Sequence, residues 1–202
     1  MRLILVRHGQ TTANQARALD TAEPGAPLTA LGHEQAERAA EVLARHEVCG
    51  IFTSHLTRTR ETARPLAARL GIEPVTLPGI REIIAAELEM RSDLDSIVEY
   101  HAVADSWAHG DLDRRMRGGE SGHEVFARFN AAIAEARTAV GDGVTVFFSH
   151  GAIIRTWAGH HARNVDPAFA TSRILENTGM VVLDDGPDGW RVRSWMEERV
   201  EG

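Results

Sequence analysis

Two predicted strands of this sequence each deliver a histidine to their carboxyl end. Residues 3–6 are apolar and lead into Arg7 and His8, and residues 144–149 lead into His150. Because open parallel sheets build their active sites outside the carboxyl ends of their strands, we expect these side chains to meet. An imidazole can serve as a nucleophile or a general acid–base, and a guanidinium binds phosphate through a planar, bidentate contact. The pattern therefore predicts an enzyme that acts on phosphorylated substrates.

Arg58 and Glu82 are two further candidates near strand ends. Arg58 lies in the first turn of the helix predicted after the second strand, where free backbone N–H groups favour an anion. A surface arginine is the alternative interpretation of Arg58, and the presence of Arg7 favours the functional one. Glu82 follows a short predicted strand at 74–77, and a structural ion pair with a neighbouring arginine is its alternative.

His8 has two alternative interpretations. The first is a buried histidine whose ring nitrogens are both satisfied, which is the usual outcome for an isolated histidine. Its position after an arginine and before Gly9, mirrored at His150, argues against that outcome. The second is a metal ligand, but clustered arginines repel a metal ion and attract a phosphate. Since no His-x-x-x-His or Cys-x-x-Cys pair lies near either histidine, we expect no metal here.

Apolar runs alternate with helical patterns along the chain, which is typical of a βαβ architecture around a mostly parallel sheet. The predicted strands are 3–6, 50–53, 74–77 and 144–149, followed by a closing hairpin of 179–183 and 190–195. The predicted helices are 30–45 behind the N-cap Thr29, 56–70 ended by Gly71, one from the capping box 121–124 to about 140, one directly after His150, and a short one starting at Asp166. The sequence therefore predicts an α/β fold.

Residues 83–118 interrupt this alternation. Charged and apolar residues are mixed here, and Gly118 and Gly119 then break the chain. We predict a mostly helical insertion, or cap, that lies over the active edge of the sheet within a single domain spanning residues 1–202. The sequence leaves open whether this cap moves as a lid.

Composition excludes several mechanisms and partners. All 22 basic residues are arginine, so the chain lacks the lysine that a Walker A loop, a pyridoxal enzyme or a protein kinase requires. The formal net charge of −7 argues against a nucleic acid or an anionic membrane as partner. No apolar run approaches the length of a membrane span, and a single cysteine, Cys49, excludes an intramolecular disulfide. With no leader-like succession in the first residues, we expect a cytoplasmic protein.

The segment 5–11 resembles the signature of the histidine phosphatase superfamily, also called phosphoglycerate mutase-like. The resemblance continues in order through nearly the whole chain. The matching positions are Asn14, 27–36, 54–58 with 62–63, 81–82, 118–121, 149–151 and 177–179. The resemblance implies a three-layer α/β/α fold, with a mostly parallel central sheet, helices on both of its faces and an inserted helical segment over the active edge.

The same resemblance implies chemical roles for the strand-end residues. His8 would attack phosphorus and become a phosphohistidine, which divides one difficult displacement into two easier ones. The phosphoryl oxygens would be surrounded by Arg7, Arg58 and His150. Glu82 would protonate the leaving alcohol and later activate the water that cleaves the phosphohistidine. Since phosphoryl transfer depends mainly on positioning and charge stabilisation, this clamp would make a metal or another cofactor unnecessary.

A second group of residues is expected to bind the substrate rather than to react with it. Asn14 would be an additional donor to the phosphoryl group. The others are Gln10, Arg17, Gly151 and Asn177, which lie in or beside the family motifs.

Two segments depart from the family pattern. Family phosphatases often carry Arg-x-Gln-Gly after the asparagine, whereas residues 15–20 keep only an arginine, Arg17. Many members follow the acid with a Gly-x-Trp-x-Gly segment, which residues 83–91 lack. The phosphate end of the site thus matches the family, and the leaving-group end is unusual. Arg17, Arg91 and the run 113–117 are candidates to meet a charged substrate, with a solvated surface as the alternative for the run.

We expect a metal-independent phosphomonoester phosphatase that acts on a small phosphorylated metabolite. A cofactor-dependent phosphoglycerate mutase is the first alternative, but family mutases are longer and follow the acid with Arg-His-Tyr-Gly, which is absent from residue 83 onward. The second alternative is a protein that binds phosphorylated ligands without catalysis, although the loss of a nucleophile or clamp residue that would mark it is not found. A protein phosphohistidine phosphatase is also conceivable, but the insertion at 83–118 should narrow the cleft toward small molecules. The oligomeric state stays open, and a homodimer is compatible with the sequence.

Overall fold

A mixed seven-stranded sheet forms the centre of the computed structural model, which describes residues 1–201. In chain order the strands are β1 (Arg2–Arg7), β2 (Val48–Thr53), β3 (Val75–Thr76), β4 (Val144–Ser149), β5 (Met180–Gly186), β6 (Gly189–Trp195) and β7 (Glu198–Arg199). Across the sheet their order is β3-β2-β4-β1-β5-β6-β7. Strands β1 to β4 are parallel, and β5 to β7 add an antiparallel side in which β5 pairs with β1. The predicted mostly parallel sheet with a closing hairpin is confirmed.

Helices cover both faces of this sheet. They are α1 (Thr12–Ala16), α2 (Ala30–Leu43), α3 (Thr57–Leu70), α4 (Leu94–Ala108), α5 (Gly122–Val140), α6 (Gly151–His161) and α7 (Pro167–Ser172). Along β1, Leu3 and Leu5 join the core shared with α4, α5 and α6, whereas Ile4 and Val6 join the core shared with α2 and α3. Successive strand side chains point to opposite faces, so a strand covered on both faces must be apolar throughout. The three-layer α/β/α fold is therefore confirmed. Within residues 1–201 no helix is both long and apolar enough to span a bilayer.

The residues predicted to begin and end helices do so. Thr29 accepts a hydrogen bond from the backbone N–H of Gly32 (3.1 Å), and Ser121 forms a capping box with Glu124. Gly71 ends α3 with a φ of 66°, a conformation that favours glycine. The two-residue edge strand β7 escapes the sequence-based prediction, because so short a strand carries no periodic pattern.

Residues 83–118 are helical only in part. A 3₁₀ turn at Ala86–Leu88 and α4 are the helical pieces, and the rest of the segment is irregular. After α4 the chain turns through Gly110 and Gly118, whose φ angles of 95° and 71° a right-handed helix cannot accommodate. α4 itself packs against α6 and α7.

The arginines proposed for a charged substrate fall into two groups. Arg91 pairs with Asp93 (2.8 Å), and Arg115 pairs with Glu124 (2.7 Å). These exposed ion pairs fit the alternative of a solvated surface. Arg17, by contrast, lines the cavity described below.

A close backbone contact joins α2 to the loop that carries His8. A Cβ atom built on Gly32, in the first turn of α2, would lie 2.2 Å from the carbonyl oxygen of Gln10. A Cβ atom on Gly9 would lie 2.6 Å from the carbonyl oxygen of Gly32. Both neighbours are backbone atoms, which cannot swing aside as a side chain can. The two glycines therefore allow α2 to support this loop directly.

Gly32→Ala should lower the free energy of unfolding by about 1–3 kcal/mol, the usual cost of overpacking a close contact. Urea unfolding of the variant and the wild type measures the difference. Gly186→Ala is the matched control, since its Cβ atom would have no heavy atom nearer than 3.9 Å. Equal stability changes in the two variants would contradict the close contact at Gly32.

Candidate active site

The carboxyl ends of the parallel strands open into a cavity of about 540 Å³. Because Arg7 is paired with Ser149 in the β1–β4 register, the two histidines that follow these residues leave the sheet side by side. The predicted site residues found in the cavity wall are Arg7, His8, Asn14, Arg17, Arg58, Glu82 and Gly151. The predicted residues outside the wall are Gln10, His150 and Asn177.

His8 is 4% exposed and has one ring nitrogen tied to the backbone. Its Nδ1 lies 2.7 Å from the carbonyl oxygen of Gly9, so this nitrogen carries the proton and donates it. The lone pair of the neutral ring is then on Nε2, which has no protein hydrogen-bond partner among residues 1–201. The backbone is held as well: His8 N–H donates to Ser149 O (3.1 Å), and Asn177 Nδ2 donates to His8 O (3.0 Å). The side chain is thus oriented as a nucleophile.

The surroundings of His8 keep it uncharged. Burial, and then the charges of Arg58 and Arg7, lower the pKa of His8 well below its usual value of 6.5. Burial and Arg58 likewise lower the pKa of His150, whose ring lies edge to face with that of His8 at 5.3 Å between centroids. A neutral imidazole retains the lone pair that a nucleophile requires.

Arg7, which is partly buried, and Arg58, which is buried, bring guanidinium charges close enough to His8 to affect its pKa. Arg7 donates to the carbonyl oxygen of Leu175 (2.6 Å), and Arg58 donates to the carbonyl oxygen of Asp20 (2.8 Å). The Nε atom of each arginine is buried and has no partner among the described residues. Burial lowers the pKa of both, yet a guanidinium stays protonated in proteins. A Cβ atom at Gly151 would lie 3.2 Å from Arg7 Nε, so the glycine leaves room for this group.

His150 presents one free ring nitrogen. Its Nε2 lies 2.9 Å from Ser54 Oγ, while its Nδ1 is buried without a partner among residues 1–201. When the Ser54 hydroxyl donates to Nε2, the proton of the neutral ring is on Nδ1. His150 can then donate a hydrogen bond to an anion beside His8.

The Glu82 carboxylate is held by backbone N–H groups. Its oxygens accept hydrogen bonds from Ile83 (2.9 Å), Ala152 (3.1 Å) and Ile153 (2.9 Å). Ala152 and Ile153 belong to the first turn of α6, whose N-cap residue His150 supplies no side-chain bond. The carboxylate therefore caps α6 and faces the cavity. No arginine within residues 1–201 forms an ion pair with this carboxylate, which argues against the alternative for Glu82.

Asn14 and Asn177 are hydrogen-bonded to each other, and Gln10 is bound separately to α2. Asn14 Oδ1 accepts from Thr11 N (3.1 Å) and from Asn177 Nδ2 (3.1 Å), so the Asn14 amide nitrogen is left for the cavity. Asn177 also binds His8 O, which makes it a residue that positions others. Gln10 Oε1 accepts from the side chain that caps α2 (3.0 Å). Among these residues, Asn14 alone lines the cavity, and Gln10 and Asn177 support it from behind.

The arrangement has the parts needed for phosphoryl transfer to a histidine. The neutral His8 ring lies near two guanidinium groups, and Arg7 Nε, Arg58 Nε and His150 Nδ1 are buried donors without a partner among residues 1–201. Unpaired buried donors cost free energy, and a bound phosphoryl group would satisfy them. Among residues 1–201 no group of three or more His, Cys, Asp and Glu side chains is arranged to hold a metal ion.

Comparison with known proteins identifies the family. The model of the histidine phosphatase superfamily (branch 1) matches residues 3–198. The chain belongs to this superfamily. The structure of a mycobacterial glucosyl-3-phosphoglycerate phosphatase in complex with VO3 superposes with a TM-score of 0.80 at 25% identity, and the match covers 96% of this chain and 98% of that one.

Two relatives by sequence carry different names. A probable phosphoglycerate mutase GpmB of Enterobacter sp. (strain 638) is 30% identical, over 98% of this chain and 91% of the relative. The PE-PGRS family protein PE_PGRS11 of Mycobacterium tuberculosis is 34% identical over 94% of this chain. The chain spans only 35% of the length of that second relative.

This member of the histidine phosphatase superfamily also has cavity residues that the sequence analysis missed. Arg155, His101 and Asp105 also line the cavity. Arg155 is 8% exposed and sits in α6 among apolar residues, so an arginine inside an apolar helical run was the available signal. His101 and Asp105 are spaced i, i+4 on α4, but this spacing is common on helix surfaces and predicts no site by itself.

The stability of this superfamily member should depend on the protonation of its buried histidines. The pKa is lowered to about 4 for His101 and His161, and it is also lowered for His8 and His150. The unfolded chain takes up protons near its usual pKa of about 6.5, where the folded chain does not. The free energy of unfolding should therefore fall as the pH decreases below about 6.5, by up to about 1.4 kcal/mol per pH unit for each such histidine.

Urea unfolding between about pH 8 and pH 5 measures this slope. His161→Gln should reduce the slope of the unfolding free energy against pH by the contribution of one histidine, because the pKa of His161 is lowered in the folded chain. Since His161 lies outside the cavity wall, this substitution leaves the wall residues unchanged. A stability that does not change over this interval would contradict the neutral state of the buried histidines.

Proposed function

We propose that the protein is a metal-independent phosphomonoester phosphatase that acts through a phosphohistidine at His8 on a small phosphorylated metabolite. The observation that carries this proposal is the free Nε2 of a neutral, buried His8 near the guanidinium groups of Arg7 and Arg58. The superposition with a phosphatase structure in complex with VO3 supports it.

In the first half-reaction, His8 Nε2 attacks phosphorus and the bond from phosphorus to the leaving oxygen breaks. Arg7, Arg58 and His150 would stabilise the charge on the phosphoryl oxygens, a role that Asn14 would share through its amide nitrogen. Glu82 would donate a proton to the leaving alkoxide. These groups are in place before substrate binds, so little reorganisation is needed during the reaction.

In the second half-reaction, water attacks the phosphohistidine. Glu82, now a carboxylate, would remove a proton from this water while the bond from phosphorus to Nε2 breaks. Its position is fixed by the backbone N–H groups of α6, so the acid and the base of the two steps are the same residue at the same place. Inorganic phosphate then leaves the clamp.

A phosphoglycerate mutase is the second candidate, because relatives named probable phosphoglycerate mutase match nearly the whole chain. A mutase must return the phosphoryl group to a bound hydroxyacid rather than to water. The chain lacks the Arg-His-Tyr-Gly segment that family mutases carry after the acid, which supports hydrolysis. Isomerisation of 3-phosphoglycerate that is stimulated by bisphosphoglycerate would overturn this choice.

His8→Ala should lower the turnover of p-nitrophenyl phosphate by roughly a thousandfold or more, since the nucleophile is removed. Wild-type turnover should persist in EDTA. Steady-state assays with and without EDTA measure both, and quenching in alkali, in which the acid-labile P–N bond survives, allows the phosphohistidine to be detected. His33→Ala, on the exposed side of α2, is the matched control and should leave turnover unchanged.

The two parts of the proposal, metal independence and the phosphohistidine route, can be rejected separately. Loss of wild-type turnover in EDTA would reject metal independence. Full activity of His8→Ala would reject the phosphohistidine route. If His8→Ala bound vanadate as tightly as the wild type, and neither protein hydrolysed any ester, a binding protein without catalysis would be the better description.

Glu82→Gln should lower kcat for an alkyl phosphomonoester by about 10²–10⁴, because the alkoxide leaving group needs a proton. p-Nitrophenolate leaves without one, so this ester should still phosphorylate His8 and give a stoichiometric burst of p-nitrophenol before slow hydrolysis. Rapid-mixing absorbance measurements detect the burst. Glu87→Gln, an exposed acid of the cap, is the control. An equal loss with both esters and no burst would assign Glu82 a structural role.

A further inference from the structure

The cavity, of about 540 Å³, is larger than a phosphoryl group requires. In its wall, Arg155 on α6 faces His101 and Asp105 on α4. The residues found here would therefore contact the alcohol to which the phosphate is attached.

Arg155 is fixed in place but keeps donor capacity toward the cavity. Its Nη1 donates to the carbonyl oxygens of Thr171 (2.9 Å) and Arg173 (3.3 Å). Its Nη2 makes only long contacts, at 3.4 Å to Asp105 Oδ1 and 3.4 Å to His101 Nδ1. Charge-assisted hydrogen bonds are usually about 2.7–2.9 Å long, so these contacts leave room for a ligand atom.

Asp105 keeps acceptor capacity at the same place. Its side chain is 30% exposed, and the long contact with Arg155 is its only side-chain hydrogen bond among residues 1–201. A carboxylate can accept about four hydrogen bonds, so most of its capacity is unused. Burial raises the pKa of Asp105, which is consistent with this lack of partners.

His101 adds a neutral donor. Arg155 can only donate, so His101 Nδ1 must be the acceptor of their contact, and the ring proton is on Nε2. Burial, followed by the charges of Arg155 and Arg7, lowers the pKa of His101 to about 4. The ring is therefore uncharged at neutral pH.

We propose that Arg155, Asp105 and His101 form a subsite for adjacent hydroxyl groups of a neutral polyol or glycosyl leaving group. A hydroxyl both donates and accepts, so it can use Asp105 as acceptor and Arg155 or His101 as donor at once. One cation and one anion lie here, so the subsite as a whole favours no net charge. Apolar side chains, Ile97 and Leu175 among them, complete the wall and would contact the C–H groups of the ligand.

This subsite disfavours a ligand that carries a second anionic group in addition to the phosphate that is cleaved. A phosphate or carboxylate would gain Arg155 but would meet the Asp105 carboxylate at the same point. Arg17, which is exposed on another part of the wall, is the cation that would attract such a group. The inference rests on the proposed phosphatase function, because it names the leaving group of that reaction.

The test compares kcat/KM for ribose 5-phosphate, n-pentyl phosphate and 3-phosphoglycerate, with p-nitrophenyl phosphate as a reference whose leaving group has no adjacent hydroxyl groups. The wild type should prefer ribose 5-phosphate over n-pentyl phosphate and 3-phosphoglycerate by about tenfold or more, the usual effect of hydrogen bonds to charged groups. Asp105→Asn should remove this preference by raising KM for ribose 5-phosphate, and the loss of kcat/KM should be about tenfold larger for ribose 5-phosphate than for p-nitrophenyl phosphate. Asp95→Asn, the same substitution on the exposed side of α4, is the matched control.

His101→Leu is a second variant, which keeps the Arg155–Asp105 pair and removes the Nε2 donor of His101 together with its long Nδ1 contact to Arg155. It should weaken the preference for ribose 5-phosphate in the same direction. A wild type that prefers 3-phosphoglycerate, or that treats ribose 5-phosphate and n-pentyl phosphate alike, would overturn the subsite. Parallel losses on ribose 5-phosphate and p-nitrophenyl phosphate in both variants would also overturn it, because they indicate a structural role.

Failure of the proposed function would be visible separately, as absence of turnover with every ester including p-nitrophenyl phosphate. In that case, calorimetry compares the Kd of ribose 5-phosphate with that of n-pentyl phosphate, for the wild type and for Asp105→Asn. Tighter binding of ribose 5-phosphate that is lost in Asp105→Asn supports the subsite. Equal affinities of the two probes for the wild type overturn it.

Discussion

The burial of two guanidinium groups beside a histidine that stays neutral is the constraint on which the rest of this structure depends. Arg7 and Arg58 repel each other, and each loses hydration when it leaves water. Backbone carbonyl oxygens at Leu175 and Asp20 compensate in part, and the Asp20 carboxylate adds a contact at 3.4 Å. A bound phosphoryl group would offset the free-energy cost of burial and repulsion that remains. The same burial and charge lower the pKa of His8 and preserve its lone pair.

The fold holds the site residues by hydrogen bonds that involve backbone atoms rather than by further ion pairs around them. The loop after β1 is held by Ser149 O, by the Asn177 amide and by Thr62, whose hydroxyl accepts from Gly9 N (3.0 Å). The Glu82 carboxylate is held by the first turn of α6. Since these partners belong to β4, α3, α6 and the loop before β5, the site exists only when these elements are assembled. Function and fold stability are therefore coupled at this edge.

Two parts of the cavity wall differ in charge. Around His8 the wall is cationic and suits a phosphoryl dianion. Beside Arg155, the Asp105 carboxylate balances the guanidinium charge and His101 is neutral, so this part of the wall is polar without net charge. A cavity of this kind can bind the reacting group tightly while it selects the rest of the substrate by hydrogen bonds. α4 and α6 supply the side chains proposed to select the substrate, and α4 belongs to the inserted segment 83–118.

The sequence by itself determined the layers of the fold and the phosphate end of the site. Unbroken apolar runs specify strands covered on both faces, and residues such as Thr29, Ser121 and Gly71 specify helix ends, because these signals are local. Arg7, His8, Arg58 and Glu82 could be identified for the same reason: each lies at a strand end or a helix start. Only the tertiary structure decided that Asn177 supports His8 from behind and that Arg155 meets Asp105 across two helices. These contacts join residues far apart in the chain, and no local pattern records which helix faces which.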